Sequence, residues 1–345
     1  MSNSSAAITK TSALLVKSLS ARNRDIISRR FGLKTGKKET LESIGKSYGI
    51  TRERVRQIEE FSLGQLSKTS SGVPDVAKYV SLAKEILSGN AGVMRESDMF
   101  KAFSGSDKEN VINSSLVFIL TLAGEPVRVS ENDSLHSLWA LDKQGSVLVK
   151  ENVADLVKVL EKNERPLPET ELASFAEKNG VRNSKDINVF LSVSKELGRN
   201  VFGEVGLVDW AEVKPKGVRD KAYLVLKKEK NPKHFSEIAK LINATGFSAR
   251  KANVQTVHNE LIKDSRFVLV GRGMYGLSEW GYKPGTVKEV IVDILKGSSK
   301  PLAKADLVAR VLGTRMVKEN TILLNLQDSK VFSKKDDGTY ILRKA

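Results

Sequence analysis

Some residue types are absent from this chain of 345 residues or scarce in it, and each shortage excludes a class of protein. There is no cysteine, which excludes disulfides and thiolate metal sites. The three histidines, His136, His234 and His258, have no ligand partner at metal-binding spacing. No apolar run approaches the ~18 residues of a membrane span, and the first residues lack the charged start of a signal peptide. We therefore expect a cytoplasmic protein that needs no metal or other cofactor.

One glycine motif suggests a nucleotide site, but its context argues against it. Gly271, Gly273 and Gly276 spell G-x-G-x-x-G. In a dinucleotide site this motif opens a helix, whereas here a second predicted strand follows it. We interpret it as a hairpin turn. Because the sequence also shows no nuclease, kinase or hydrolase constellation, we expect that the protein is not an enzyme.

Positive charge is in excess, and its distribution is uneven. The net charge is +16. Residues 1–68 carry 14 Lys+Arg against 6 Asp+Glu, and residues 69–216 carry 18 against 22. Residues 217–282 carry 12 against 6, and residues 283–345 carry 13 against 7. The basic ends indicate a polyanionic partner, and we expect the acidic middle not to lie on DNA.

Residues 40–65 have the pattern of two helices joined by a tight turn. Thr40 and Thr51 stand where helix N-caps are expected, and Gly49 stands where the first helix must end. The inward faces of the two helices are predicted to carry Leu41, Ile44, Tyr48, Val55, Ile58 and Leu63. The polar face of the second helix carries Arg52, Glu53, Arg54, Arg56 and Gln57. This order is typical of a helix-turn-helix that reads the major groove.

The chemistry of that polar face supports base recognition. Arginine bonds bidentately to guanine, glutamine bonds to adenine, and glutamate accepts from cytosine. The alternative is an ordinary solvated face, because the same residues are good helix formers.

Residues 19–66 resemble region 4 of bacterial sigma factors, which binds the −35 promoter element. The matching parts are RRFGL at 29–33, TLESIGKSYGITRERVRQIE at 40–59 and a closing helix that ends at Leu66. The resemblance implies double-stranded DNA and RNA polymerase as partners. It implies base contacts by Arg52, Glu53 and Gln57. It implies phosphate or polymerase contacts by Arg29, Arg30, Thr51, Arg54 and Arg56.

The rest of the chain repeats itself. VLEKNERPLPETELA, VLKKEKNPKHFSEIA and ILKGSSKPLAKADLV align without gaps, and Trp139, Trp210 and Trp280 recur at intervals of 71 and 70 residues. We predict four tandem units of three helices and a hairpin, which is the winged-helix arrangement. The predicted fold is mainly α with small β-hairpins. Its segments are a disordered tail at 1–12, the sigma-like unit at 13–66, a linker at 67–74, and units at 75–142, 151–213, 217–282 and 283–343.

The third unit, residues 217–282, contains the segments NPKHFSEIAKLI and LIKDSRFVLVGRGMYGLSEWGY. On these segments it is similar to the HARE-type helix-turn-helix domain. That domain occurs in the delta subunit of bacterial RNA polymerase and in some restriction and chromatin proteins. The resemblance implies association with nucleic acid or polymerase and fixes no contact residue. The polar side of this unit's third helix and wing is predicted to carry Arg250, Lys251, Asn253, Gln255, His258 and Arg272. It is either a second DNA-contact surface or a solvated basic face.

We expect a sequence-specific DNA-binding regulator or a polymerase accessory factor, associated with the nucleoid. We do not expect a complete sigma factor, because that family's main polymerase-binding segment lies upstream of region 4. One alternative is the DNA-targeting subunit of a restriction or defence system. Another is a polymerase- or nucleoid-docking protein whose helix-turn-helix units bind proteins. The oligomeric state and the recognised sequence stay open.

Overall fold

The computed structural model describes residues 2–70, 72–181, 186–282, 284–298 and 300–343. The chain forms two compact units, residues 1–209 and 210–345. Sixteen α-helices within the described ranges are accompanied by four small antiparallel sheets. The predicted mainly helical class with small β-elements is thus confirmed.

The first four elements are helices α1 (Ser2–Val16), α2 (Ala21–Phe31), α3 (Leu41–Tyr48) and α4 (Arg52–Ser70). The disordered tail predicted at residues 1–12 is wrong for the part described, because α1 runs through it. Ile8, Thr11, Ser12 and Leu15 are all buried. These positions form one helical stripe in which small hydroxyl residues allow close packing. Met1 lies outside the described residues.

The linker predicted at 67–74 is also largely helix. α4 continues to Ser70, and the next helix already begins at Pro74. The hydroxyl of Ser67 donates to the carbonyl of Leu122, 2.9 Å away, and Ser70 is buried. Tertiary contacts therefore extend a helix that local composition predicted to end. The closing helix expected up to Leu66 is the end of α4 itself. Ser71 lies outside the described residues.

Four times the chain then passes through helix, strand, helix, helix, strand and strand. Repeat 1 (residues 74–140) contains α5 (Pro74–Ser88), β1 (Val93–Arg95), α6 (Glu96–Ser104), α7 (Val111–Ala123), β2 (Val127–Val129) and β3 (Leu138–Ala140). Repeat 2 (residues 143–207) contains α8 (Lys143–Asn163), β4 (Leu167–Pro168), α9 (Glu169–Lys178), α10 (Ile187–Val193), β5 (Leu197–Arg199) and β6 (Glu204–Leu207).

Repeat 3 (residues 218–277) contains α11 (Val218–Glu229), β7 (Lys233–His234), α12 (Phe235–Thr245), α13 (Val254–Lys263), β8 (Phe267–Gly271) and β9 (Met274–Leu277). Repeat 4 (residues 287–342) contains α14 (Val287–Lys296), β10 (Leu302–Ala303), α15 (Lys304–Leu312), α16 (Glu319–Leu326), β11 (Phe332–Lys334) and β12 (Thr339–Leu342). In each sheet the last strand is central, between the first and the second.

The short first strand of each sheet was not predicted. It is two or three residues long and pairs with a strand more than 35 residues further on. No local sequence pattern therefore predicts it. The second unit begins with α8 at Lys143, ahead of the predicted 151. The predicted start of the fourth unit, Lys283, lies outside the described residues. The glycine motif lies in the β8–β9 hairpin, as interpreted.

Helices α1 and α2 and the end of α4 share one hydrophobic core with repeat 1. The ring of Phe31 in α2 meets the ring of Phe118 in α7 edge-on, with centroids 5.2 Å apart. The hydroxyls of Ser12 and Ser115 lie 3.0 Å apart, and the Lys38 ammonium lies 3.2 Å from the Glu109 carboxylate. The boundary predicted between residues 66 and 75 therefore does not separate two independent cores.

The three tryptophans occupy different structural positions. Trp139 lies in β3 at 1% exposure, and its indole N–H donates to the Glu96 carboxylate at 3.0 Å. Trp210 follows β6, and Trp280 ends a short 3-10 helix after β9; both are half-buried. Trp139 thus lies in the core of repeat 1, and Trp280 packs, partly buried, against the core of repeat 3.

Candidate nucleic-acid interface

The turn between α3 and α4 is closed by local hydrogen bonds. The Thr40 hydroxyl accepts from the Ser43 N–H at 3.1 Å and begins α3. Gly49 ends it in the left-handed region, at φ 65°. The Thr51 hydroxyl then accepts from the Arg54 N–H at 3.2 Å at the start of α4. These three predicted positions therefore fix the direction in which α4 leaves the turn.

A small core holds the two helices together. Ile26, Ile44 and Val55 are fully buried against one another, with Leu41, Tyr48, Ile50 and Ile58 packed around them. Gly45 lies where the chain returns from the turn, and a Cβ built there would be 2.7 Å from the Ile50 carbonyl oxygen. Only glycine allows that close approach.

Residues 51–57, at the start of α4, are exposed except for one anchor. Val55 is 0% exposed, and it fixes the rotation of the helix about its axis. All the other residues of this segment that were predicted to contact DNA are exposed: Thr51, Arg52, Glu53, Arg54, Arg56 and Gln57. The predicted face thus exists as one continuous polar surface.

The three arginines on that surface differ in the hydrogen bonds that they make. The Arg56 guanidinium bonds to both oxygens of Glu53, at 2.9 to 3.2 Å, and to Glu60 at 3.1 Å. The hydrogen bonds from Arg56 lower the pKa of Glu53, so this carboxylate stays ionised. Arg54 donates to the Gln57 amide oxygen at 3.0 Å. Arg52 makes no side-chain hydrogen bond or ion pair within the described part of the chain.

Two concave surfaces flank the start of α4. One, of about 520 Å³, is lined by Arg30, Thr40, Leu41, Glu42, Arg52, Glu53 and Arg56. The other, of about 550 Å³, is lined by Arg22, Asn23, Arg54, Gln57, Ile58 and Phe61. Reasoning from the sequence missed Arg22, Asn23 and Phe61 as residues of the site. Phe61 is 68% exposed, which is unusual for a phenylalanine and could have been found from its place on the polar side of α4.

Arg29 and Arg30 lie at the end of α2 and bind within the protein. Arg29 donates to both oxygens of Glu39, at 2.9 and 2.7 Å, and to the Ser47 hydroxyl at 2.7 Å. These bonds lower the pKa of Glu39 and raise that of Arg29. Arg30 donates to Glu59 at 3.0 Å. Both arginines brace the helix-turn-helix, and their contacts with phosphate or polymerase stay a prediction.

The second predicted surface, in repeat 3, is arranged differently from the prediction. Arg250 and Lys251 precede α13 instead of lying on it, and Asn253 is its N-cap. Gln255 is exposed on the first turn, and Arg272 is exposed in the β8–β9 turn. His258 is half-buried and stacks on Phe235, with ring centroids 4.3 Å apart. The helix begins later than predicted because Asn253 caps it, accepting from the Gln255 and Thr256 N–H groups.

Within the described ranges, no three His, Asp or Glu side chains are grouped so that they could hold a metal ion. No described helix is both long and apolar enough to cross a membrane.

The fold and this surface define the class of the N-terminal module as a helix-turn-helix with an exposed second helix. Residues 15–68 match the family model described as Sigma-70, region 4. SigA, an RNA polymerase sigma factor of Nostoc sp., is 48% identical over 52 residues, which are 15% of this chain and 13% of that protein. HrdD, a principal sigma factor of Streptomyces coelicolor, is 44% identical over 54 residues, 16% of each chain. RpoS of Coxiella burnetii is 52% identical over 48 residues, 14% of each chain. The match thus spans about a seventh of these relatives.

Proposed function

We propose that this protein binds double-stranded DNA in transcription and reads it with the start of α4 in the major groove. The observation that carries the proposal is the exposed polar face of α4 around the buried anchor Val55. A helix held this way presents its N-terminal side chains to base edges. The match of residues 15–68 to Sigma-70 region 4 supports a site of the −35 type.

The hydrogen bonds suggest which side chains on the exposed face of α4 contact bases and which contact phosphates. Arg52 has a guanidinium that is not committed elsewhere in the described structure, so it is available for bidentate contact with guanine. Glu53 is held by Arg56 and can accept from cytosine, while Gln57 exchanges its bond with Arg54 for one to adenine. Thr51, Arg54 and Arg56 then contact phosphates. Arg56 also keeps Glu53 from repelling the backbone.

We further propose that the four repeats are winged-helix units and that repeat 3 is of the HARE type. Their common element order and sheet topology support the first part, and the sequence similarity of residues 217–282 supports the second. Because most of the chain consists of these repeats, we propose a regulator or an accessory factor of RNA polymerase. We do not propose a complete sigma factor or an enzyme. Such a protein would work on the nucleoid.

The test is to select bound sequences from random DNA with the whole protein and then compare single variants. Arg52→Ala and Gln57→Ala should each lose about 1–3 kcal/mol on the preferred site and relax the preference at one base position. Lys17→Ala is the control, since it removes one exposed charge outside the helix-turn-helix. The proposal is wrong if both α4 variants weaken binding to every sequence equally.

A further inference from the structure

The third helix of each repeat occupies the same place in the element order, but its surroundings differ. In repeat 1, α7 is buried from Asn113 to Leu120 and packs against α1, α4 and α5. In repeat 2, α10 packs against β1 of repeat 1. The Val193 carbonyl at the end of α10 accepts from the His136 N–H at 2.9 Å. Neither helix can enter a DNA groove while these contacts exist.

In repeat 3, the third helix is accessible. The side chains exposed on α13 are Val254, Gln255, Thr256, Asn259, Ile262 and Lys263. Two of them are apolar, and Val254 and Ile262 are 41% and 63% exposed. Val257 and Leu261 hold the opposite side of α13 in the core of repeat 3.

Cations surround this exposed helix. Arg250 and Lys251 precede it, Lys263 ends it, and Arg272 stands in the β8–β9 turn. All four are exposed, and none makes a side-chain hydrogen bond or ion pair to a described residue.

Most acidic side chains of repeat 3 form ion pairs within the repeat. Glu237 pairs with Lys233 at 3.2 Å, Asp264 pairs with Arg266 at 2.7 Å, and Glu260 lies 3.9 Å from Arg219. The cations around α13 therefore face solvent without local neutralisation.

Repeat 4 offers a comparison within the same compact unit. Its third helix, α16, exposes Glu319, Asn320, Thr321 and Leu324, and the exposed Lys318 precedes it. At the end of β11 and in the turn that follows it, Lys334 and Lys335 are balanced by Asp336 and Asp337. Residues 283–345 have the same excess of six positive charges as residues 217–282, but the lysines next to α16 and in this turn are each accompanied by an acid, so the helix attracts a duplex less strongly.

We propose that α13 and the β8–β9 turn of repeat 3 form a second binding surface for duplex DNA, one that contacts phosphates and does not select sequence. Arg250, Lys251 and Arg272 carry the contacts, and Gln255 lies against the backbone between them. Asn253 and His258 have structural roles here, as helix cap and stacked ring. Two DNA-binding surfaces on one chain make the second contact intramolecular and raise the overall affinity.

The test compares two charge-matched variants of the whole protein on a random-sequence duplex of about 40 base pairs. The first, R250A/K251A/R272A, removes the proposed contacts. The second, K304A/R310A/K334A, removes three exposed charges from repeat 4. Three lost phosphate contacts should reduce the salt slope by about 2.7. Between about 50 and 200 mM salt, the wild type should therefore lose about 40-fold more affinity than the first variant. The second variant should follow the wild type.

Photo-crosslinking gives an independent readout. A benzoylphenylalanine in place of Gln255 should crosslink to the duplex, and one in place of Asn320 on α16 should not. Equal salt slopes for the two triple variants, or no crosslink from position 255, would overturn the proposal. The result is separate from that of Arg52→Ala, which tests sequence preference at α4.

Discussion

Replacing Phe118 with alanine should destabilise the helix-turn-helix as well as repeat 1. The ring is completely buried and meets the ring of Phe31 edge-on. Truncation of a buried phenylalanine costs roughly 3–5 kcal/mol through lost burial and the remaining cavity. The aromatic pair accounts for about 0.5–1.5 kcal/mol of that. The unfolding equilibrium should thus shift by roughly two to nearly four orders of magnitude.

Native-state hydrogen exchange on the whole protein measures where this loss appears. If the shared core is cooperative, the amides of α2, α3 and α4 should lose about as much protection as those of α5 and α7. Phe332→Ala is the matched control, because Phe332 is a buried phenylalanine of repeat 4. It should leave the amides of α2 to α4 protected.

One result would refute this reasoning. Suppose that Phe118→Ala lowers protection in α5 to α7 and leaves α2 to α4 unchanged. The helix-turn-helix would then be stable without repeat 1, and a fragment of residues 1–70 should fold and bind DNA by itself. If the core is shared, the shortest fragment that binds DNA extends to the end of repeat 1.

Three further predictions concern stability. The hydrogen bond from Arg29 lowers the pKa of Glu39. This ion pair therefore stabilises the folded state fully above the ordinary pKa of about 4.5, and the stabilisation is lost as the pH falls through the lowered value. Glu39→Gln should remove this pH-dependent stabilisation, which is at most about 1 kcal/mol because the pair is about a third exposed. Melting temperatures measured at a series of acidic pH values would show the loss. Gly45→Ala should cost about 1–3 kcal/mol by overpacking, whereas Gly64→Ala, with open space around it, should be stabilising in denaturant titrations. Trp139→Ala should cost roughly 3–5 kcal/mol in thermal unfolding and Trp280→Ala less, and the reverse order would contradict the burial argument.

The helix-turn-helix could be predicted because its signals are local. Thr40 and Gly49 mark the ends of α3, and Leu41, Ile44 and Tyr48 give its inward face within one short window. The tail and the linker could not be predicted in the same way. Their serines and threonines favour loops by composition, but packing against repeat 1 holds them in helices.

The site was predictable to a similar degree. Exposure of the polar face of α4 follows from periodicity, because Val55 must face inward. The hydrogen bonds of Arg29 with Glu39 could not be predicted from the sequence. The two residues are ten positions apart and approach each other only because the chain turns between α2 and α3. The displaced start of α13 has a local cause that could have been noticed. Asn253 is a good N-cap, so it marks a helix start after Arg250 and Lys251.

The repeats show how one architecture can serve two purposes through a single helix face. α7 has the sequence VINSSLVFILTLA, which is apolar or small nearly all round, so it can be enclosed by helices on several sides. α13 has the sequence VQTVHNELIK, which keeps one apolar stripe and leaves the rest to solvent. The order of elements and the sheet topology are the same in both repeats. On the proposal that α13 contacts DNA, what a repeat can bind is set by the side chains of its third helix and not by its fold. On this argument, exchanging exposed positions of α13 changes binding and leaves the fold intact, whereas polar substitutions in α7 would first release the helix-turn-helix from its support.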